Sequence, residues 1–159
     1  MDTAAKRPVA KAFTIAVACA SAALLALALA AAPAHAASSF KAGGFYCTPV
    51  NGGLSIHPAK DVASVTVPAT IKGKKVVRFC HVGEYNESTL SYEALKLKKI
   101  NLKAATNLKE IVIYGTKLTS IDLSKYKGLT RVDLQENRKL KTVKLGSHPK
   151  LTYLCCMEC

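Results

Sequence analysis

Leucines stand at positions 97, 108, 118, 129, 140 and 151, a spacing of ten or eleven residues that few folds can satisfy. From each of them the third and fifth residues onward are also apolar: Ile100 and Leu102, Ile111 and Ile113, Ile121 and Leu123, Val132 and Leu134, Val143 and Leu145, Leu154 and Cys156. An extended strand alternates faces, so positions 4 and 6 of each half-repeat share one face while position 5 opposes them. Position 1 then turns its leucine toward the same side. One such unit cannot bury its apolar face alone, but stacked units bury a continuous core. The strand-like segments Ile111-Val112-Ile113 and Val132-Asp133-Leu134 favour strands over helices for these pieces.

Two half-repeats make one unit of 21 or 22 residues, and the ninth position tells the halves apart. One series holds Thr116, Asn137 and Cys159, the other Ala105, Tyr126 and His148. Only the first fits the leucine-rich-repeat template L-x-x-L-x-L-x-x-N/C, in which a polar or thiol side chain bonds turn backbone that the ladder leaves unpaired. The parallel ladder is therefore expected at 108–113, 129–134 and 151–156, with the intervening halves on the opposite side.

These residues carry a resemblance. The stretch LTSIDLSKYKGLTRVDLQEN at 118–137, with LTYLCC at 151–156, resembles the repeats of internalin-type bacterial surface proteins, including those in which cysteine replaces a ladder leucine, as Cys156 does. VASVTVPATIKGKKVVRF at 62–79 is similar to a segment of BspA-like leucine-rich repeat proteins. The resemblance covers about residues 62–159 and implies the fold more sharply than any ligand, since fold does not fix function. Those families typically carry more repeats, a C-terminal cap and a wall-attachment signal. With the sequence ending at Cys159 within a unit, the expectation is either a minimal, marginally stable solenoid or, the favoured reading, a fragment of a longer protein.

The expected fold is thus α/β in class: a leucine-rich-repeat solenoid with a short parallel β-sheet, mostly strand and turn with little helix, preceded by a small β cap. Three regions follow: a signal peptide at 1–36, a cap with a first repeat-like strand at 37–96, and repeats at 97–159. The signal reading rests on Lys6, Arg7 and Lys11 before an apolar run from Ala12 to Ala32, then Pro33 and the small-x-small site Ala34-His35-Ala36. An uncleaved membrane anchor is the competing reading, because the run is long for a signal. Within the cap, 40–60 reads as a hairpin with glycine pairs and prolines. Val62 to Val67 reads as a strand ended by Pro68, a turn follows at Ile71 to Lys74, and Val76 to Phe79 reads as a second strand. Asn86 to Lys96 is the one expected helix, capped by Asn86 or Ser88, and Asn86-Glu87-Ser88 is also a glycosylation sequon.

The chain carries a formal charge of +13, and without residues 1–36 it would hold 20 basic and 9 acidic side chains, about +11. Such a balance favours loose association with anionic wall polymers, acidic glycans, lipid head groups or nucleic acid without specifying one. Five cysteines follow the signal: Cys47, Cys80, Cys155, Cys156 and Cys159. An odd number leaves a thiol free or paired between chains in an oxidising compartment, and a Cys47–Cys80 bridge is one way to staple the cap.

Chemistry that needs a constellation finds none. Cys155-Cys156-Met157-Glu158-Cys159 invites a metal or redox reading, but the repeat register sends Cys156 inward, Cys155 outward and Cys159 to a turn, so a structural role is expected, with a disulfide or intermolecular thiol as the alternative. His57, His81 and His148 sit in no nucleophile motif. Asp122 and Asp133 belong to opposite halves and should not form a carboxylate pair. No enzymatic activity, catalytic residue, cofactor or metal is expected. The expectation is a secreted or cell-surface module that binds a protein or glycan on another cell or in the envelope. Specific nucleic-acid binding is not expected, and membrane contact only through an uncleaved signal segment. A basic, envelope-associated protein holding anionic polymers is the alternative. The binding face should be the outward positions of the ladder: Glu110, Val112, Tyr114, Arg131, Asp133, Gln135, Tyr153, Cys155 and Met157.

Overall fold

A computed structural model describes residues 38–159, so the signal segment at 1–36 lies outside the described residues. Three antiparallel strands open the described part: β1 (Phe40–Ala42), β2 (Phe45–Val50) and β3 (Gly53–Pro58). The Asn51-Gly52 pair closes the β2–β3 hairpin, with Gly52 at φ 85°, where a side chain would be strained. The 40–60 segment is thus three strands where one hairpin was expected. After β4 (Ser64–Thr66) and Pro68, β5 (Thr70–Ile71) turns through Lys72-Gly73 into β6 (Lys74–His81). β6 pairs in parallel with β3, joining cap to repeats.

The rest of the main sheet is parallel. β10 (Glu110–Ile113), β12 (Arg131–Asp133) and β14 (Tyr153–Cys155) follow β6 in order, with Phe79, Ile111, Val132 and Leu154 in one cross-strand row. These are the strands the ninth-position series selected. The intervening halves supply two separate parallel pairs, β4 with β9 (Lys99–Asn101) and β11 (Ser120–Asp122) with β13 (Thr142–Lys144). Between the two sets of strands lies the core, where Leu108, Ile111, Ile113, Leu118, Leu123, Leu129, Val132 and Leu134 are almost fully buried. Each such side chain contributes roughly 1.5 to 3 kcal/mol by leaving water. At the last strands the pattern opens: Leu145 is 41% exposed and Leu154 47%, because no described strand stacks beyond β13 and β14.

The described residues are mostly strand, with parallel strands in the main sheet as expected, and contain no helix, so the one expected helix is corrected. At 86–96 a hairpin stands instead, β7 (Tyr85–Asn86) against β8 (Ser91–Tyr92). Asn86 does accept hydrogen bonds from the Ser88 and Thr89 amides, at 2.9 and 3.2 Å, as a cap would. Leu90 then adopts φ 52° and reverses the chain. Downstream amides are spent on distant partners: Glu93 on the Glu84 carbonyl, Leu95 on the Gly115 carbonyl and Lys96 on the Asp61 carboxylate. Tertiary bonding outcompetes the local helix ladder.

The Cys47–Cys80 bridge is also corrected. Cys47, Ile56 and Phe79 form one row on the core side of the sheet, while Cys80, one residue beyond Phe79, belongs to the other face. Cys47 is a buried free thiol.

His81 ends β6 beside Phe79, buried, its Nε2 without a hydrogen-bond partner and 3.9 Å from Asp61 Oδ1. Burial pushes its pKa below the usual imidazole value; nearby His57 adds to that and Asp61 opposes it. The folded state therefore holds His81 neutral, whereas the unfolded chain takes up its proton near pH 6.5. With the folded pKa depressed, the stability from this residue is present above the unfolded value and is lost as pH falls through the folded one. Denaturation midpoints should drop more between pH 8 and pH 5 for the wild type than for His81→Gln. Equal drops would mean that His81 is not buried neutral.

Candidate ligand-binding face

Parallel pairing in register places Glu110, Arg131 and Tyr153 in one cross-strand row of the outward face and Val112, Asp133 and Cys155 in the next. Tyr114, Gln135 and Met157 follow two residues further along their chains. The row begins with an ion pair: Arg78 on β6 is cross-strand from Glu110, with Nη2 donating to Oε1 at 2.9 Å and Nε 2.8 Å from Oε2. Two nitrogens facing two oxygens fix both side chains.

Asp133 organises the centre. Its Oδ2 accepts from Arg131 Nη2 at 2.6 Å and from the Tyr114 hydroxyl at 2.8 Å, and its Oδ1 accepts from Gln135 Nε2 at 2.8 Å. The Arg131 guanidinium also lies over the Tyr153 ring, 4.0 Å from its centroid, a cation–π contact that extends the network to β14. Burial, and then the bond to Asp133, push the Tyr114 phenol well above its ordinary value, so it stays protonated and donates. In the exposed Tyr153 the negative charge of Asp133 acts in the same direction. On the other side, Tyr92 meets Tyr114 edge-on at 5.0 Å and Tyr85 meets Tyr92 at 5.2 Å. The Tyr92 amide donates to Glu136 Oε2 at 3.1 Å, seating the β7–β8 hairpin against the ladder turn.

Seven of the nine expected face residues therefore present some surface and two do not. Val112 is 6% exposed, flanked in register by Cys80 and Asp133, and Asp133 is 0% exposed beneath its three donors. Outward direction did not bring exposure, and at Asp133 the reason is that Tyr114, Arg131 and Gln135 bond across its carboxylate. Tyr153 and Met157 are exposed, while Glu110, Tyr114, Arg131, Gln135 and Cys155 are half-buried. The face also gains Arg78, Tyr85 and Tyr92, which the ten- to eleven-residue period does not reach. Two arginines against Glu110 and Asp133 leave its ladder core charge-balanced in a strongly basic chain.

The opposite half differs. Asp122 Oδ1 accepts from the Ser124 amide and hydroxyl at 3.0 and 2.6 Å, bonds that hold its carboxyl below the usual range. Lys125 and Lys144 there are exposed. Asp122 and Asp133 lie on different sheets, and both carboxylate oxygens of Asp133 already accept from neighbouring side chains, which makes it a scaffold. Among the described residues no three His, Cys, Asp or Glu side chains form a metal-binding group.

The ninth-position residues are stacked as polar links. Asn137 Nδ2 donates to the Ile113 and Leu134 carbonyls at 2.7 and 2.8 Å, and its Oδ1 accepts from the Thr116 amide at 2.9 Å and from the Thr116 hydroxyl. Cys159 Sγ donates to the Leu134 carbonyl at 2.9 Å, the counterpart one unit later. Cys156, expected to point into the core, is exposed because β14 ends the sheet.

Comparison with known family models, with curated proteins and with solved structures found no match.

Proposed function

We propose that the chain is a leucine-rich-repeat solenoid and that it serves as a secreted or cell-surface binding module. Its ladder face would take a protein or glycan partner. The observation that carries this reading is the network on Asp133, which fixes Tyr114, Arg131, Gln135 and, through Arg131, Tyr153 before any ligand arrives. Tyrosine and arginine are enriched at binding hot spots because they bury much area and keep a polar handle. Side chains already held in place lose little entropy on binding. The signal-like segment at 1–36 supports export, and the repeat pattern supports the solenoid.

A second reading has its own support: no described lysine is in an ion pair with a carboxylate. A basic shell of that kind suits an anionic envelope polymer. Binding to an array of neutral and anionic glycans and to candidate surface proteins, repeated across salt concentrations, separates the two. Face-led binding should weaken at least about fivefold, roughly 1 kcal/mol, in Tyr114→Ala and Tyr153→Ala, and change little in Lys125→Ala and Lys144→Ala at physiological salt. Loss confined to the lysine variants, with steep salt dependence, would favour the polymer and overturn the face.

A further inference from the structure

The end of the ladder differs from the units before it in two coupled positions. In the preceding unit, Leu134 and Asn137 flank a turn at Gln135-Glu136, with Glu136 at φ 55°. One unit later Cys156 and Cys159 flank the same turn at Met157-Glu158, with Glu158 at φ 54°. Both replacements are cysteine, and they fall on the two residues that the turn sets side by side. The last unit is aligned with the one before it by bonds from the Leu134 amide to the Cys155 carbonyl and from the Glu136 amide to the Met157 carbonyl.

A turn of four residues brings its outer Cα atoms within about 7 Å, and disulfides span Cα separations of roughly 4.4 to 6.8 Å. Neither thiol is bridged elsewhere, and Cys159 Sγ is turned back toward the ladder, donating to the Leu134 carbonyl. Cys155 is differently placed. As the residue before Cys156 at the end of a strand it belongs to the other face, and it stands in register with Asp133.

From this geometry we infer that Cys156 and Cys159 are a disulfide-forming pair that locks the last ladder turn, with Cys155 left as a thiol. Closure proceeds by exchange with a small-molecule disulfide. The thiolate of one cysteine attacks a sulfur of that disulfide and expels one thiolate, leaving a mixed disulfide on the protein. The second cysteine, deprotonated, attacks the protein sulfur of the mixed disulfide and expels the other thiolate. The protein loses two hydrogens and two electrons, and the disulfide becomes two thiols. The covalent link takes the place of the Asn137 side-chain bonds that brace the equivalent turn, and it fixes the end of the strand that carries Tyr153. Burial raises both thiols above the ordinary value, which suits a slow structural closure better than rapid catalytic exchange.

The test uses the full chain, reduced, freed of reductant and exposed to excess oxidised glutathione, with thiols then alkylated and the protein weighed. Cys155→Ser should protect both of its thiols in the 151–159 peptide with no glutathione retained there, and the wild type should protect the same two while Cys155 alone is alkylated or carries a single glutathione. Cys156→Ser and Cys159→Ser should stop at the mixed disulfide and carry glutathione on the peptide. Retention of glutathione on the Cys155→Ser peptide, or of more than one glutathione on the wild-type peptide, would overturn the pairing. So would an internal bridge in Cys159→Ser, or three alkylatable thiols in the treated wild type.

Discussion

Replacing Leu129 by alanine should lower stability on the order of 2 to 5 kcal/mol, a loss large enough to unfold a domain of modest stability. Leu129 is fully buried just before β12, its amide bonded to the Tyr126 carbonyl at 3.0 Å, within the same core cluster as Leu108 and Val132. Removing its side chain leaves a cavity that the closely spaced strands on either side cannot close. Leu154 provides the internal control. It occupies the fourth position of the last strand half but is 47% exposed, so Leu154→Ala loses less burial and leaves no enclosed void. Urea denaturation should place the Leu129→Ala midpoint well below that of Leu154→Ala, which should sit near wild type. Equal shifts would mean that the two residues have equal burial and that the repeat register is wrong.

The parts of the fold legible in the sequence are those set by local period. The leucine spacing and the apolar fourth and sixth positions located β10 to β14, and the ninth-position series separated β10, β12 and β14 from β11 and β13. The ninth-position series found Asn137, whose role depends only on one unit lying against the next. What the period could not reveal is how the cap joins. Phe79 is in register with Ile111, 32 residues away instead of 21 or 22, because the β7–β8 hairpin is inserted between them. With no repeat to frame it, the segment from Asn86 to Lys96 was read by its cap residue and local propensity. Both were outweighed by amide bonds to Glu84, Asp61 and Gly115.

The candidate face was legible to a similar depth. Alternation along a strand assigns the side each residue takes, and it assigned Tyr114, Arg131 and Tyr153 usefully. Exposure depends on neighbours as well as direction. Asp133 disappears beneath Arg131, Tyr114 and Gln135 because three donors within reach of one carboxylate are more stable bonded to it than spread into water. Tyr85 and Tyr92 come from outside the repeat, so no spacing pointed to them.

Asn137 offers the most direct test of the central claim, that units 21 or 22 residues apart lie stacked with their strands in parallel register. The residue is fully buried and bonds to groups in its own unit and in the one before it. In Asn137→Ala the Ile113 carbonyl and the Thr116 amide would lose their side-chain partner inside the protein, and the Leu134 carbonyl would lose one of two, keeping Cys159 Sγ. At roughly 1 to 3 kcal/mol for each orphaned group, and with water recovering part of the loss, the cost should be on the order of 3 to 5 kcal/mol. The Thr116 amide reports this most specifically, because its acceptor lies 21 residues further along the chain. Hydrogen exchange should find that amide strongly protected in the wild type. In Asn137→Ala, compared under conditions where both proteins remain folded, it should lose protection by a larger factor than the Ile111 amide on β10. Rapid exchange at Thr116 in the wild type, or unchanged protection in Asn137→Ala, would contradict the stacked register.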